Sequence, residues 1–250
     1  APTSTPQQLR LAGELYQRYI DQDVYMHTHL DEAQSEIDWV KELYPDQSNY
    51  TEVYRSFGLV DKRSVMAHCC IVTDEEWDTL HRCDCGVAHC PSSNLFLGDG
   101  MFRYWEAKKR SRPVRLGIGT DVGGGTNFSI PRQLGDAYKV AMLQSRSIDA
   151  LKSLYLATRG GAETLHLEDK IGSIAPGYEA DIAVIDLKPS EFIAWRMNFA
   201  GDIFEKLFVL MTLGPDNINR ATYVSGRKVY DRDREKRYMY AAELDAVIQI

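Results

Sequence analysis

The 250-residue chain carries a formal net charge of −7, with 44% hydrophobic and 26% charged residues. This is the composition of an ordinary globular protein of one large or two modest domains, and its acidic balance argues against nucleic acid or an anionic membrane as partner. No apolar run reaches the roughly 18 residues of a membrane span, and five cysteines without a C-x-x-C spacing fit a reduced, cytoplasmic setting better than a secreted disulfide framework.

Thr5-Pro6-Gln7-Gln8 joins a cap, a proline at the first helical position and a Gln three past the cap, so a helix opens at residue 6. Leu9, Leu11, Ala12, Leu15, Tyr16, Tyr19 and Ile20 continue it at helical spacing. Neither an initiator Met nor a signal peptide stands before it, and the chain is expected to be the later part of a longer protein. A strand over residues 24–29 follows, then helical stretches to about Tyr44 and over residues 50–57. A second strand, residues 64–67, ends at His68. Thr73-Asp-Glu-Glu76 is a capping box opening a helix through about Arg82. Residues 86–90 read as a short strand stopped by Pro91, with His89-Cys-Pro-Ser-Ser-Asn94 as its exit, and residues 102–110 as a helix. A strand over 114–119 runs into Asp121 and the glycines Gly123-Gly-Gly125; helices then cover 131–143 and 148–158.

Strand–helix alternation implies a parallel sheet with right-handed crossovers. The interval from His29 to Asp121 holds about three βα units at ~30 residues each. Strands ending at His29, His68, His89 and Asp121 would therefore be four neighbours, half of an eight-stranded barrel, and four strands cannot close one. From Ile171 the pattern changes to a Pro176-Gly177 turn between β-prone runs and a hairpin about Ser225-Gly226. The expected division is a barrel half over 1–168, small-sheet elements over 169–238 with an inserted helix near 202–213, and a last helix over 239–250.

Three β-rich runs end in chemistry-bearing residues: Val24-Tyr-Met-His-Thr-His29-Leu-Asp-Glu32, Ser64-Val-Met-Ala-His68 and Gly117-Ile-Gly-Thr-Asp121. Two imidazoles and a carboxylate at successive strand ends are ligands a zinc-like ion takes, and Glu32 just past the strand is placed for general acid–base work. His27 and His29 share a strand face, which reads either as a ligand pair or as one ligand beside a structural imidazole. His68 alone could equally be a core histidine, and Asp121 a turn residue. The three glycines lack the Lys-Ser/Thr of a phosphate loop and point to close backbone approach. His89 and Asn94 read as substrate-facing or supporting residues, His81 and His166 as structural. The cysteines read as buried thiols, with a Cys/His nucleophile at Cys69 the remote alternative.

His29-x-x-Glu32, His68, Asp121 and the Gly172-Ser-Ile-Ala-Pro-Gly-Tyr-Glu-Ala-Asp181 turn together resemble the amidohydrolase superfamily. Met26-His-Thr-His-Leu30, residues 88–97, Gly119-Thr-Asp-Val122 and residues 207–214 resemble its guanine deaminase branch. The likeness implies a distorted (β/α)₈ barrel with a small β-sandwich, one zinc ion per site, and a homodimer. It implies His29 and Asp121 as metal ligands, Glu32 as proton shuttle, and His68 as orienting the water and stabilising the oxyanion. Glu32, His68 and Asp121 would be catalytic, and His29, Glu32, His89 and Asn94 would line the substrate. The implied partners are guanine, water and an N-terminal segment bearing two further His ligands and the Arg-Phe that contacts the purine, none of which this sequence contains. The H-x-E and P-C-x-x-C pattern of cytidine-type zinc deaminases is absent. Other amidohydrolases acting on an aminopurine, pterin or triazine share the same frame residues, and a non-catalytic scaffold would keep the fold without the chemistry.

Overall fold

The structure, a computed structural model, describes residues 1–234. The first helix, α1 (Pro6–Tyr19), carries the expected box: the Thr5 hydroxyl accepts from Gln8 N–H and the Gln8 side chain accepts from Thr5 N–H. Strand β1 (Met26–Leu30) leads to α2 (Gln34–Leu43) and α3 (Tyr50–Ser56). Then come β2 (Ser64–His68), α4 (Asp74–Arg82) with its Thr73–Glu76 capping box, and β3 (Gly86–His89). Helices α5 (Pro91–Leu97) and α6 (Tyr104–Ala107) precede β4 (Arg115–Ile118). Helices α7 (Ile130–Leu143), α8 (Ala150–Ala157) and α9 (Arg159–Thr164) complete this part.

The four strands form one parallel sheet in the order β1-β2-β3-β4. Leu30 pairs with His68 and His89 with Ile118, so every strand delivers its C-terminal end to one edge. All five residues of β2 are buried, as expected of a strand flanked by neighbours and covered by helices. Trp77, Leu80, Phe102, Leu116 and Leu156 pack with Leu30, Met66 and Val87 in the main core.

A second sheet is antiparallel: β5 (Ile182–Ile185), β6 (Asn219–Val224) and β7 (Arg227–Asp231). Ser225 and Gly226 both take positive φ in the two-residue turn joining β6 to β7, as a type I′ hairpin requires. Between β5 and β6 lie α10 (Glu191–Met197) and α11 (Ile203–Leu213). The expected last helix, 239–250, lies outside the described residues.

Three local expectations need correcting. Residues 91–97 form a helix rather than a loop exit: Pro91 ends β3 but also occupies the first helical turn, where its missing N–H costs nothing. The helix expected over 102–110 is the single turn α6. Arg112 folds back to bond Glu106 O and to pair with Asp74 and Asp78, which draws the chain away from the helix axis. The β-prone run at Ile171 is not a strand either. Lys170 and Ile171 N–H both bond Leu167 O, and Gly172 at φ +87° sits against α9.

Close packing of α9 on the sheet depends on small residues. A Cβ on Gly86 would lie 2.5 Å from Thr164 O and 2.6 Å from Thr164 Cγ2. Gly86→Ala should destabilise the fold by about 1–3 kcal/mol through overpacking, seen as a lower denaturant midpoint; an unchanged midpoint would refute the contact.

Candidate metal and acid–base site

The parallel register sets His29 and His68 on neighbouring strand ends, with their rings edge to face at 4.8 Å between centroids. Asp121 follows β4, at the opposite margin of the sheet. Three flat interstrand steps would separate those margins by about 14 Å. The sheet therefore curls, because one ligand atom from each of His29, His68 and Asp121 falls within 4.8 Å of the others. His29 is exposed, His68 fully buried and Asp121 intermediate. His27 shares the β1 face with His29 but is not part of this group.

The chain turns sharply as it leaves β1, β2 and β4. Asp31, His68, Cys69 and Asp121 all have positive φ between 46° and 70°, a conformation that costs a non-glycine residue roughly 1–3 kcal/mol and clusters at functional sites. Hydrogen bonds hold these turns: Cys69 N–H donates to Leu30 O, and Cys70 and Ile71 N–H donate to Asp31 O. Of the glycines after Asp121, Gly124 and Gly125 serve close approach, while a Cβ on Gly123 would meet nothing within 4 Å. Gly125 N–H donates to Asp121 O at 2.5 Å, and a Cβ on Gly125 would stand 1.9 Å from Thr120 O.

Glu32 lies over the two imidazoles, with Oε1 3.2 Å from His68 Nδ1 and Oε2 3.5 Å from His29 Nδ1. Glu36 Oε2 accepts from Glu32 N–H, and Glu36 Oε1 accepts from the Tyr50 hydroxyl, so α2 and α3 fix the loop. Burial, with the nearby carboxylates Asp99, Glu36 and Asp121, lifts the Glu32 carboxyl to about 8. Burial and the His29 ring push His68 down to about 4, so its imidazole is neutral at neutral pH.

Asn94 and His89 are both buried. Asn94 is buried, with its Nδ2 donating to His68 Nδ1 at 2.9 Å. His89 is buried and stacked on Phe102 at 4.4 Å, and burial pushes it down to about 3. Cys69 is fully buried, and burial together with Asp31 raises its thiol far above the usual range, which disfavours a thiolate nucleophile. His81 Nδ1 meets Pro113 O and His166 Nε2 meets Asp84 O, both away from the group. Asp99 and Glu36 escaped the sequence reading. Asp99 stands between two glycines, the pattern of a plain turn, and Glu36 looks like any acid in a first helical turn.

The donor set fits a divalent ion. It offers two imidazoles and a carboxylate, and His68 Nε2 is a buried nitrogen with no hydrogen-bond partner. In the metal-free protein the Glu32 carboxyl should titrate near 8 by carboxyl-selective ¹³C NMR. Adding Zn²⁺ should move that midpoint down, since a nearby cation favours the ionised form; a midpoint near the ordinary 4.5, unmoved by metal, would refute this environment.

The model of the amidohydrolase family matches residues 1–229. Guanine deaminase of Escherichia coli K12 is 44% identical over 233 residues, 93% of this chain and 52% of that protein. Guanine deaminase of Homo sapiens is 34% identical over 228 residues, 88% of this chain and 50% of that protein. The solved E. coli enzyme matches with a TM-score of 0.88, covering 93% of this chain and 54% of that chain. The C. acetobutylicum guanine deaminase, solved with guanine bound in the active site, matches at 26% identity with a TM-score of 0.80, over 92% of this chain and 54% of that chain. The chain thus spans about half the length of the curated relatives it matches. With strand ends, turn strain and donor set in place, the match over residues 1–229 places the chain in the amidohydrolase family.

Proposed function

We propose that this chain carries the acid–base half of a zinc-dependent guanine deaminase, which hydrolyses guanine to xanthine and ammonia. The observation that carries the reading is the convergence of His29, His68 and Asp121 within 4.8 Å, with the Glu32 carboxyl against both imidazoles. The 44% identity to the E. coli guanine deaminase supports the choice of substrate.

His29 and Asp121 would hold the zinc ion, which when bound supplies Lewis acidity toward water. Asp121 takes a proton from the attacking water as its oxygen adds to C2 of guanine. Glu32 delivers a proton to ring nitrogen N3. The C2–N bond then breaks as Glu32 takes the remaining hydroxyl proton and passes it to the departing amine, and the proton held by Asp121 returns to Glu32. The water's two protons thus end on N3 and on ammonia, its oxygen becomes the C2 carbonyl of xanthine, and both carboxyl groups return to their starting states. His68 is assigned to the water and the oxyanion, and His89 and Asn94 to support of the site from within.

The proposed architecture is half of a distorted (β/α)₈ barrel over 1–168 and part of a small β-sandwich over 169–238. The curled parallel sheet, with β1 at its margin, and the separate sheet β5-β6-β7 support it. Further strands beside β1 would bring two more His ligands. The exposed aromatic face of Phe192, Trp195, Phe199 and Phe204 suits a homodimer contact. Five free cysteines suit a reducing cytoplasm. Among the described residues no helix is long and apolar enough to cross a membrane.

Turnover of guanine, with adenine, cytosine and melamine as controls, tests the substrate; activity on a control and none on guanine would overturn it. Glu32→Gln in the full-length protein should keep its zinc and lose about 10²–10⁴-fold or more in rate, since the amide cannot shuttle a proton. Full zinc with near-normal rate would remove Glu32 from that role. On dialysis against chelator His29→Ala should release zinc more readily than His68→Ala, and the reverse order would exchange their roles.

A further inference from the structure

Two chemical roles meet at His68, and its Nδ1 decides between them. Nε2 lies 4.0 Å from Asp121 Oδ2 and has no hydrogen-bond partner. To ligate a metal through Nε2, the ring needs a lone pair there and its proton on Nδ1. To donate a hydrogen bond to a water or an oxyanion, it needs the proton on Nε2.

The Nδ1 side is occupied by Asn94. Asn94 Nδ2 lies 2.9 Å from it and can only donate, so Nδ1 accepts. Asn94 Oδ1 is buried without a partner. Reversing the amide would set Oδ1 against Nδ1 but leave both amide protons unpaired where Oδ1 now lies. The reversed amide therefore gains no hydrogen bond over the observed orientation, in which Nδ2 donates to Nδ1. Glu32 Oε1 stands 3.2 Å from the same nitrogen, a longer contact than that of Asn94. Both Asn94 and His68 are buried, so bulk water offers neither an alternative partner.

Asn94 is also held rigidly. Its N–H bonds Cys90 O, and its carbonyl accepts from Gly98 and Asp99 N–H. Two residues earlier, Ser92 N–H donates to Gln133 Oε1 and Gln133 Nε2 donates to Ser92 Oγ, locking α5 to α7. The His68 backbone, at φ +70°, fixes the ring from the other side.

We propose that Asn94 is a positioning residue that holds His68 as the Nε2–H tautomer, so that His68 donates to the attacking water and the oxyanion instead of ligating the metal. The assignment rests on the function proposed above. It makes Asn94→Asp informative, because this nearly isosteric change replaces a donor with an acceptor. The proton should move to Nδ1, leaving the Nε2 lone pair free to bind metal.

Histidine ¹⁵N NMR of the full-length protein, metal-free and loaded with ¹¹³Cd²⁺, tests this directly. The wild type should show a protonated Nε2 at His68 without cadmium coupling. Asn94→Asp should show a protonated Nδ1 and gain that coupling, with kcat down by ~10²-fold, the scale of a lost oxyanion donor, and KM little changed. Asn94→Leu should populate both tautomers without reversal. A wild-type Nδ1 proton, cadmium coupling at wild-type His68, or an Asn94→Asp spectrum like the wild type would each overturn the proposal. The wild-type spectrum decides even where a variant fails to fold. The expected tautomers with no turnover of guanine would leave the tautomer assignment standing and remove the substrate reading.

Discussion

A parallel sheet sends every strand's C-terminal end to the same edge, and the rest of this structure depends on that edge. Pairing of Leu30 with His68 and of His89 with Ile118 sets the heights of the strand ends. Curling of the sheet then brings Asp121, from beyond β4, within ligand distance of His29 on β1. Flat strands at their normal spacing could not do this. The cost appears in the backbone as the left-handed residues Asp31, His68, Cys69 and Asp121. Buried carbonyl hydrogen bonds and the close-approaching Gly125 hold that strain in place.

The short helix α5 acts as the bracket behind the site. It opens at Pro91, is fastened to α7 through Ser92 and Gln133, and presents Asn94 to His68. Ser93 Oγ and Leu97 Cδ1 crowd the space beside Gly124, where a Cβ would also come within 3.1 Å of Asp121 Oδ2. One helical turn thus bonds the neutral imidazole and lies beside the glycine loop that follows the carboxylate. Displacing it would disturb the two together.

Electrostatics around Glu32 follow from crowding of like charge in a poorly solvated place. Asp99, Glu36 and Asp121 surround it, and burial removes the water that would stabilise its ionised form. Asp31, one residue earlier, is lifted to about 9 by burial and by Glu76. A site that is acidic yet partly protonated suits proton transfer and offers a favourable place for a divalent cation.

Local patterns in the sequence determined much of this. The Thr5 and Thr73 caps, the Ser225-Gly226 turn, the four strands and their order, and His29, Glu32, His68 and Asp121 at strand ends are short-range signals, because hydrogen bonding and side-chain period act over a few residues. Pro91 was ambiguous, since a proline can stop a strand and start a helix in the same step. Only the tertiary structure decided that Asn94 meets His68 Nδ1 rather than open space, and that Asp99 and Glu36 raise Glu32. It alone left His27 outside the donor group that its strand partner His29 enters. Those outcomes depend on the curl of the sheet and on which side chains burial forces together, and such long-range contacts leave no periodic trace in the chain.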